Sequence, residues 1–197
     1  MSSNSSRRRE LLAQIGVRFG VIAVELDEAP LSGEGPDDYV LRVAMDKARA
    51  GRAITAGRPG LPVLAADTAV VVDGRILGKP RDREEGAAMI RLLSGRTHTV
   101  LSGVALVGEL ERQALSRSEV SFREVHPAEV SAYWDTGEPV DKAGGYAIQG
   151  LGAVFVERLQ GSYSGVMGLP LFETAHLLAG AGIHVLAHRA GLREARA

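Results

Sequence analysis

Helical spacing of apolar residues is the strongest pattern in this sequence. It predicts five helices, with glycine or proline near most of their ends, at 7–14, 36–53, 83–95, 127–137 and 169–182. One face of the second helix combines apolar residues with a single lysine: Val40, Val43, Ala44, Lys47 and Ala48. Lys47 therefore either covers apolar surface with its stem while its charge reaches water, or it has a ligand.

Extended patterns separate these helices. They predict strands at 19–26, 61–66, 97–108 and 118–125, and a strand, a turn and a further extended piece within 152–168. A second extended segment continues to residue 80 and turns at Asp73-Gly74, a dipeptide typical of tight hairpins. Because hairpins interrupt the alternation of helices and strands, we expect one α/β domain over 1–197, with a mixed sheet and flanking helices. A short flexible tail is expected at about 189–197.

Composition narrows the classes of function. Lys and Arg number 23 against 24 Asp and Glu, so no overall field favours a polyanion such as DNA, and any anion site must be local. The absence of cysteine excludes disulfides and thiolate–zinc sites. No apolar run approaches the roughly 18 residues of a membrane span, and the N-terminus lacks a signal-peptide core. A soluble cytoplasmic protein without a membrane partner is therefore expected.

Two charged residues follow the apolar strand 61–66. Asp67 is expected at the end of that strand, where α/β sheets bind ligands, although an aspartate that merely opens a turn is the alternative. Lys79 stands between a glycine and a proline, which fix the backbone around one cation as a phosphate-binding loop would. A solvated lysine in a turn is the alternative here. The predicted hairpin would fold Lys79 back towards Asp67.

The glycine-rich segment DKAGGYAIQG, at 141–150, is a second candidate for binding. Its glycines allow close approach of the backbone to a ligand, while Tyr146 can stack on a nucleobase and Gln149 can hydrogen-bond to one. Motifs of other chemistries are absent from the sequence: there is no P-loop, no GxGxxG after a strand, no HExxH and no GxSxG. The five histidines show no metal-ligand spacing.

The stretch SSNSSRRRE, at 2–10, has the composition of a disordered basic tail. Short sequence motifs along the whole chain nevertheless follow one another in a recognisable order: SxSxRRxELL, KA in a helix, AADT, GKPRD, LSGRTHTVLSGVAL, GEPVDKAGGYAIQG and GSYSGVMGLPLFET. This order resembles the Maf family of nucleoside triphosphate pyrophosphatases. The last two blocks resemble the branch that acts on dTTP and UTP rather than the branch that acts on 7-methyl-GTP.

The resemblance implies two α/β lobes around a cleft, and hydrolysis between the α- and β-phosphates with the help of Mg²⁺ or Mn²⁺. It implies that Asp67 is the general base and a metal ligand, and that Asp27 is a second acidic residue near the metal. Substrate specificity is assigned by position to Arg7, Thr68 and Gln149. Phosphate binding is assigned to Arg8, Lys47 and Lys79.

These implied roles agree with the chemistry of the substrate. A triphosphate carries roughly four negative charges near neutral pH, so its site needs several cations together with a metal ion. Attack on the α-phosphorus needs a water positioned by a carboxylate and a leaving pyrophosphate neutralised by cations. Ser3, Ser5, Arg7 and Arg8 would then form a phosphate-facing loop before the first helix, with Arg9 solvated.

Three other functions remain open on these residues. The same catalytic group would serve a house-cleaning pyrophosphatase for other modified nucleotides. A nucleotide-binding regulator of cell division is a second possibility, since the family is linked to inhibition of septum formation. An RNA-binding module on Arg7–Arg9 is the third, but aromatic residues make up only 5% of the chain, so no nucleic-acid partner is expected. A homodimer is expected as the commonest assembly.

Two features depart from the family pattern. Ser6 occupies the place of a proline, so the turn lacks the fixed φ that proline would give it. The family's short apolar strand before the Ser-rich loop is also missing, so either the start codon lies upstream or the protein lacks that strand. The intact mass of the native protein separates these alternatives.

Overall fold

The computed structural model describes residue 1 and residues 5–56 and 61–185. The helices in this part of the chain are α1 (Ser6–Gln14), α2 (Pro36–Ile54), α3 (Arg83–Leu93), α4 (Pro127–Asp135), α5 (Tyr163–Met167) and α6 (Leu171–Ala179). The strands are β1 (Val63–Val72), β2 (Arg75–Leu77), β3 (Thr97–Val107), β4 (Glu111–Phe122) and β5 (Val156–Gln160). Short 3₁₀ turns occupy Ala143–Gly145 and Leu151–Phe155. The predicted tail at 189–197 and Ser3 lie outside the described residues.

The five strands form one sheet in the order β2-β1-β3-β4-β5. The α/β fold with helices against a sheet is confirmed, but every pairing among these strands is antiparallel rather than mixed. Two of the four pairings, β1–β2 and β3–β4, join strands that are linked by short turns, and such turns make neighbouring strands antiparallel. Asp73 and Gly74, with φ of 50° and 72°, form the hairpin predicted between β1 and β2.

Predicted helices agree with the structure where their ends carry strong local signals. Helix α2 begins at Pro36 and ends one residue beyond the predicted 53. Helix α3 begins after Asp82, whose carboxylate accepts a hydrogen bond from the backbone N of Glu85 at 2.9 Å. Helix α4 begins at Pro127, as predicted.

Two predicted extended segments differ in the structure. Within 19–26 only Ile22 forms a β-bridge, and its N donates to the carbonyl of Met1 at 3.0 Å. The extended piece expected before Gly168 is instead helix α5. The hydroxyl of Ser162 caps that helix by accepting from Gly165 N at 2.9 Å, and Gly168 ends it with a φ of 115°. These end signals outweigh the strand-like composition of the segment.

Helix α2 crosses the sheet at very short range. A Cβ atom on Gly103 of β3 would lie 2.4 Å from the carbonyl oxygen of Val40, so only glycine allows this approach. The apolar stripe of α2 is buried, with Val40, Ala44 and Ala48 at 0% exposure. The register of this contact determines where Lys47, on the same face, meets the sheet.

The far side of the core contains a buried histidine. His98 is 2% exposed, its Nε2 lies 2.8 Å from the hydroxyl of Tyr146, and its ring meets Phe122 edge-on. Its Nδ1 has no hydrogen-bond partner in the part of the chain described. Burial lowers the pKa of His98 from 6.5 to about 4.

We expect this histidine to make stability depend on pH. As the pH falls below about 6.5 the unfolded chain gains a proton at His98, whereas the folded protein gains it only near pH 4. Between pH 7.5 and 4.5 this group should therefore cost about 2–3 kcal/mol of unfolding free energy. Urea unfolding at both pH values should show that His98→Gln loses less unfolding free energy than the wild type, by that amount. The variant at the exposed residue, His184→Gln, should lose as much as the wild type does. Equal losses in all three proteins would contradict the expectation.

No helix among the described residues is long and apolar enough to cross a membrane.

Candidate active site

A cavity of about 710 Å³ opens beside the middle of β1. Its wall is formed by the start of α1, by β1 and β2, by the glycine-rich segment and by the end of α5. The volume suits a small-molecule ligand. Seven of the eight predicted site residues line it: Arg7, Arg8, Lys47, Asp67, Thr68, Lys79 and Gln149.

Asp67 lies in the middle of β1, so the prediction that it ends the strand is wrong. It pairs with Gly103 of β3, and the strand continues for five residues to Val72. Asp67 is 6% exposed, which would be costly for an isolated carboxylate. The structure shows what offsets that cost, because Nζ of Lys47 donates to Oδ1 of Asp67 at 2.9 Å.

Lys47 joins two carboxylates. Its Nζ also lies 2.7 Å from Oε2 of Glu28, and its side chain is only 13% exposed. Among the two explanations for a lysine on an apolar face, the structure therefore favours a bound partner over a charge that reaches water. The sequence predicts that Lys79 lies beside Asp67. Both residues line the cavity, but the ion pair of Asp67 is made by Lys47, and Lys79 is exposed.

The structure does not bring Asp27 to the site. Its Oδ1 accepts from the backbone N of Ala29 at 2.9 Å, and the residue does not line the cavity. Glu28 lines it instead. The carboxylate of Asp27 turns back to its own backbone, whereas that of Glu28 reaches Lys47. The sequence shows two adjacent acids and offers no signal that distinguishes them.

The start of α1 is part of the cavity wall, so a disordered basic tail is the wrong interpretation for residues 5–10. Arg8 donates from Nε to the carbonyl of Gly168 at 2.8 Å and from Nη2 to the hydroxyl of Thr68 at 3.3 Å. Burial lowers the pKa of Arg8, and the charge of Asp67 opposes that shift. Arg7 lines the same cavity, and burial lowers its pKa as well.

The glycine-rich segment has a different role from the one predicted for its glycines. A Cβ atom on Gly144, whose φ is 69°, would lie 2.9 Å from the side chain of Val70, so this glycine allows contact with β1. Tyr146 is buried, and its hydroxyl is engaged by His98. Gln149 is exposed and lines the cavity, which leaves its amide accessible to a ligand.

The turn that carries Gln149 is held by a set of hydrogen bonds centred on Glu138. Glu138 accepts from the backbone N of Leu151 at 2.8 Å and from that of Gly152 at 2.9 Å. It also accepts from the hydroxyl of Tyr133 at 2.7 Å, and that hydroxyl accepts from Ala147 N at 3.1 Å. The backbone on both sides of Gln149 is therefore fixed.

The cavity carries more charge than the sequence predicted. Its cations are Arg7, Arg8, Lys47, Lys79 and Lys142, and its carboxylates are Glu28, Asp67 and Asp141. Lys142 and Asp141 lie within the DKAGGYAIQG block, where the sequence predicts roles only for the glycines, the tyrosine and the glutamine. Burial lowers the pKa of Lys142, and nearby Arg7 adds to this effect. Five cations against three carboxylates favour a polyanionic ligand.

Fold and cavity together define the class: an α/β protein whose sheet places a buried carboxylate among converging cations. The chain belongs to the Maf family, since the model of the Maf-like proteins matches residues 1–181. The resemblance inferred from the motifs is thereby confirmed. The further division into two lobes stays a prediction.

Relatives named dTTP/UTP pyrophosphatase match almost the full chain. The protein of Alkalilimnicola ehrlichii is 58% identical over 181 residues, which are 90% of each chain. That of Saccharophagus degradans is 55% identical, over 90% of this chain and 86% of the relative. That of Methylococcus capsulatus is 54% identical, over 93% and 90%.

Proposed function

We propose that this protein is a nucleotide pyrophosphatase that hydrolyses dTTP and UTP to the monophosphate and pyrophosphate. The observation that carries the proposal is the Glu28–Lys47–Asp67 arrangement inside a cavity with an excess of cations. A triphosphate needs such cations, and its hydrolysis needs a carboxylate in the same cavity. The names of the relatives support the pyrimidine substrates.

In this proposal Asp67 takes the proton of the attacking water, while Arg8, Lys47 and Lys79 bind phosphate oxygens. The carboxylate is held rigidly because β1 is an interior strand of the sheet, and burial excludes bulk water from it. Both conditions favour a general base over a surface acid. Arg7, Thr68 and Gln149 are proposed to select the substrate.

The donor set fits a divalent cation, Mg²⁺ or Mn²⁺. Asp67 and Glu28 converge on one cationic atom, Nζ of Lys47, within 3 Å. Mg²⁺ in phosphate-transferring sites takes one or two carboxylates and completes its shell with phosphate oxygens and water. We therefore propose Asp67 and Glu28 as its protein ligands, in place of Asp27. When bound, the ion would neutralise charge on the phosphates.

The proposal includes a cytoplasmic location, where nucleoside triphosphates are made and used, and a homodimer. Removal of unwanted nucleotides is the corresponding cellular role. A panel of nucleotides assayed for pyrophosphate release with each metal tests the activity. Selective turnover of dTTP and UTP is the expected result. Preference for modified nucleotides would favour the house-cleaning alternative, and nucleotide binding without turnover would favour the regulator of cell division.

Truncation of Gln149 should weaken recognition of the nucleobase more than binding of the phosphates. Uracil and thymine offer O2, N3–H and O4, all of which an amide can hydrogen-bond. We expect Gln149→Ala to lower kcat/KM for UTP about tenfold while the Kd of inorganic pyrophosphate changes less than twofold. The exposed Gln113→Ala, outside the cavity, should leave both values unchanged. Equal losses in hydrolysis and in pyrophosphate binding would reject the base-reading role.

A further inference from the structure

A chain of hydrogen bonds leads from the cavity into the sheet. Nη2 of Arg8 lies 3.3 Å from Oγ1 of Thr68, and that oxygen lies 2.9 Å from Oγ of Ser102. Oγ of Ser102 in turn donates to the carbonyl of Gly165 in α5 at 2.7 Å. Thr68 and Ser102 are direct cross-strand partners of β1 and β3, so the sheet register holds their hydroxyls together.

The two ends of this chain fix the direction of every bond in it. A guanidinium has only donors, and a carbonyl has only acceptors. Ser102 donates its one hydroxyl hydrogen to the carbonyl of Gly165, so its oxygen must accept a hydrogen bond from the hydroxyl of Thr68. Thr68 therefore presents lone pairs, and no proton, to Arg8 and to the cavity.

The same chain is tied to α5 at both ends. Arg8 donates from Nε to the carbonyl of Gly168, three residues beyond the carbonyl that Ser102 reaches. The guanidinium of Arg8 is thus held at two points, and one of them, Thr68, has the orientation that Ser102 gives it. Ser102 is 1% exposed and does not line the cavity, so it acts through Thr68 and not on a ligand.

We propose that Ser102 is a positioning residue, which keeps the Thr68 hydroxyl as a hydrogen-bond acceptor and thereby holds Arg8 in place for phosphate. This inference rests on the proposed function, because it explains how Arg8, which is proposed to bind phosphate in that site, is held in place. Without Ser102 the Thr68 hydroxyl is free to rotate, and it can then turn its proton towards Arg8. The arginine would lose one of its two anchors.

The test combines Ser102→Ala and Thr68→Val in a double-mutant cycle. The Kd of inorganic pyrophosphate, measured by titration calorimetry, should rise about tenfold in each single variant. The double variant should bind no more weakly than Thr68→Val alone, because Ser102 has nothing left to orient. With UTP as substrate, KM should rise in the same pattern while kcat changes less than threefold. Ser102→Thr, which restores a hydroxyl, should recover binding.

Ser116→Ala is the matched control. Ser116 faces Ser102 across β3 and β4, is 4% exposed, and does not line the cavity. It should bind pyrophosphate as the wild type does, and thermal melting should confirm that each variant is folded. If Ser102→Ala does not fold, Ser102→Cys replaces it, because a thiol is a weak hydrogen-bond partner.

Three results would overturn the proposal: wild-type affinity in Ser102→Ala, losses that multiply to about a hundredfold in the double variant, or no pyrophosphate binding by the wild type. Multiplied losses would mean that Ser102 acts through Gly165 alone. Failure of the proposed function is distinct from these results. It would appear as wild-type protein that turns over no nucleotide, while pyrophosphate binding still follows the cycle.

Discussion

Replacing Asp67 by asparagine is expected to lower kcat for UTP by about a thousandfold or more, with nucleotide binding retained. An amide has almost the shape of the carboxylate but cannot take a proton from water. Lys47 keeps Glu28 as its partner, so the surrounding cavity should stay in place. Pyrophosphate release gives kcat, and calorimetry with UTP gives the Kd.

Asp73→Asn provides the control for this change. Asp73 likewise forms an ion pair, at 2.6 Å to Arg96, but it lies in the exposed hairpin between β1 and β2. Asparagine tolerates its positive φ. We expect wild-type kcat in this variant. Robust turnover by Asp67→Asn would contradict the assignment of the general base.

The second large effect is expected from Lys47→Met, which removes the charge but keeps a long unbranched side chain. Asp67 would then remain buried without its cation, and Glu28 would lose the same partner. We expect a loss of roughly 3 kcal/mol in the free energy of unfolding, and a fall of about a hundredfold in kcat/KM. Urea unfolding and initial rates with UTP measure the two quantities.

Arg49→Met tests whether the position of the ion pair decides the result. Arg49 lies on the same helix and pairs with Glu111 at 2.6 Å, but both side chains are about half exposed. Solvent-exposed ion pairs contribute little to stability, so the unfolding free energy of this variant should stay close to that of the wild type, with activity unchanged. Equal losses of stability and activity in the two variants would show that burial of the Lys47–Asp67 pair does not increase its contribution.

Much of the fold was predictable because its signals are local. Proline at the start of α2 and α4, and the Asp73-Gly74 turn, act on the backbone around them, and the structure agrees at each. Helix α5 was missed because its composition is strand-like. Its cap, Ser162, bonds to Gly165 three residues later, which is a weaker signal than proline.

The site was predictable as a set of residues but not as an arrangement. The order of the motifs predicts which residues form the site, and seven of the eight line one cavity. Which partner each charged side chain has depends on packing, which the motifs do not describe. A buried Asp67 is tolerated within a strand because α2 approaches the sheet at Gly103 and brings Lys47 to the carboxylate. Glu28 replaces Asp27 because its carboxylate reaches Lys47, whereas the carboxylate of Asp27 bonds to the backbone of Ala29.

The central claim is that water, activated at Asp67, attacks the α-phosphorus of a pyrimidine triphosphate. Hydrolysis of UTP in ¹⁸O-labelled water, with Mg²⁺ present and the products resolved by mass spectrometry, tests it most directly. The account predicts UMP and pyrophosphate as products, with the label in UMP alone. Label in pyrophosphate, or UDP and phosphate as products, would contradict it.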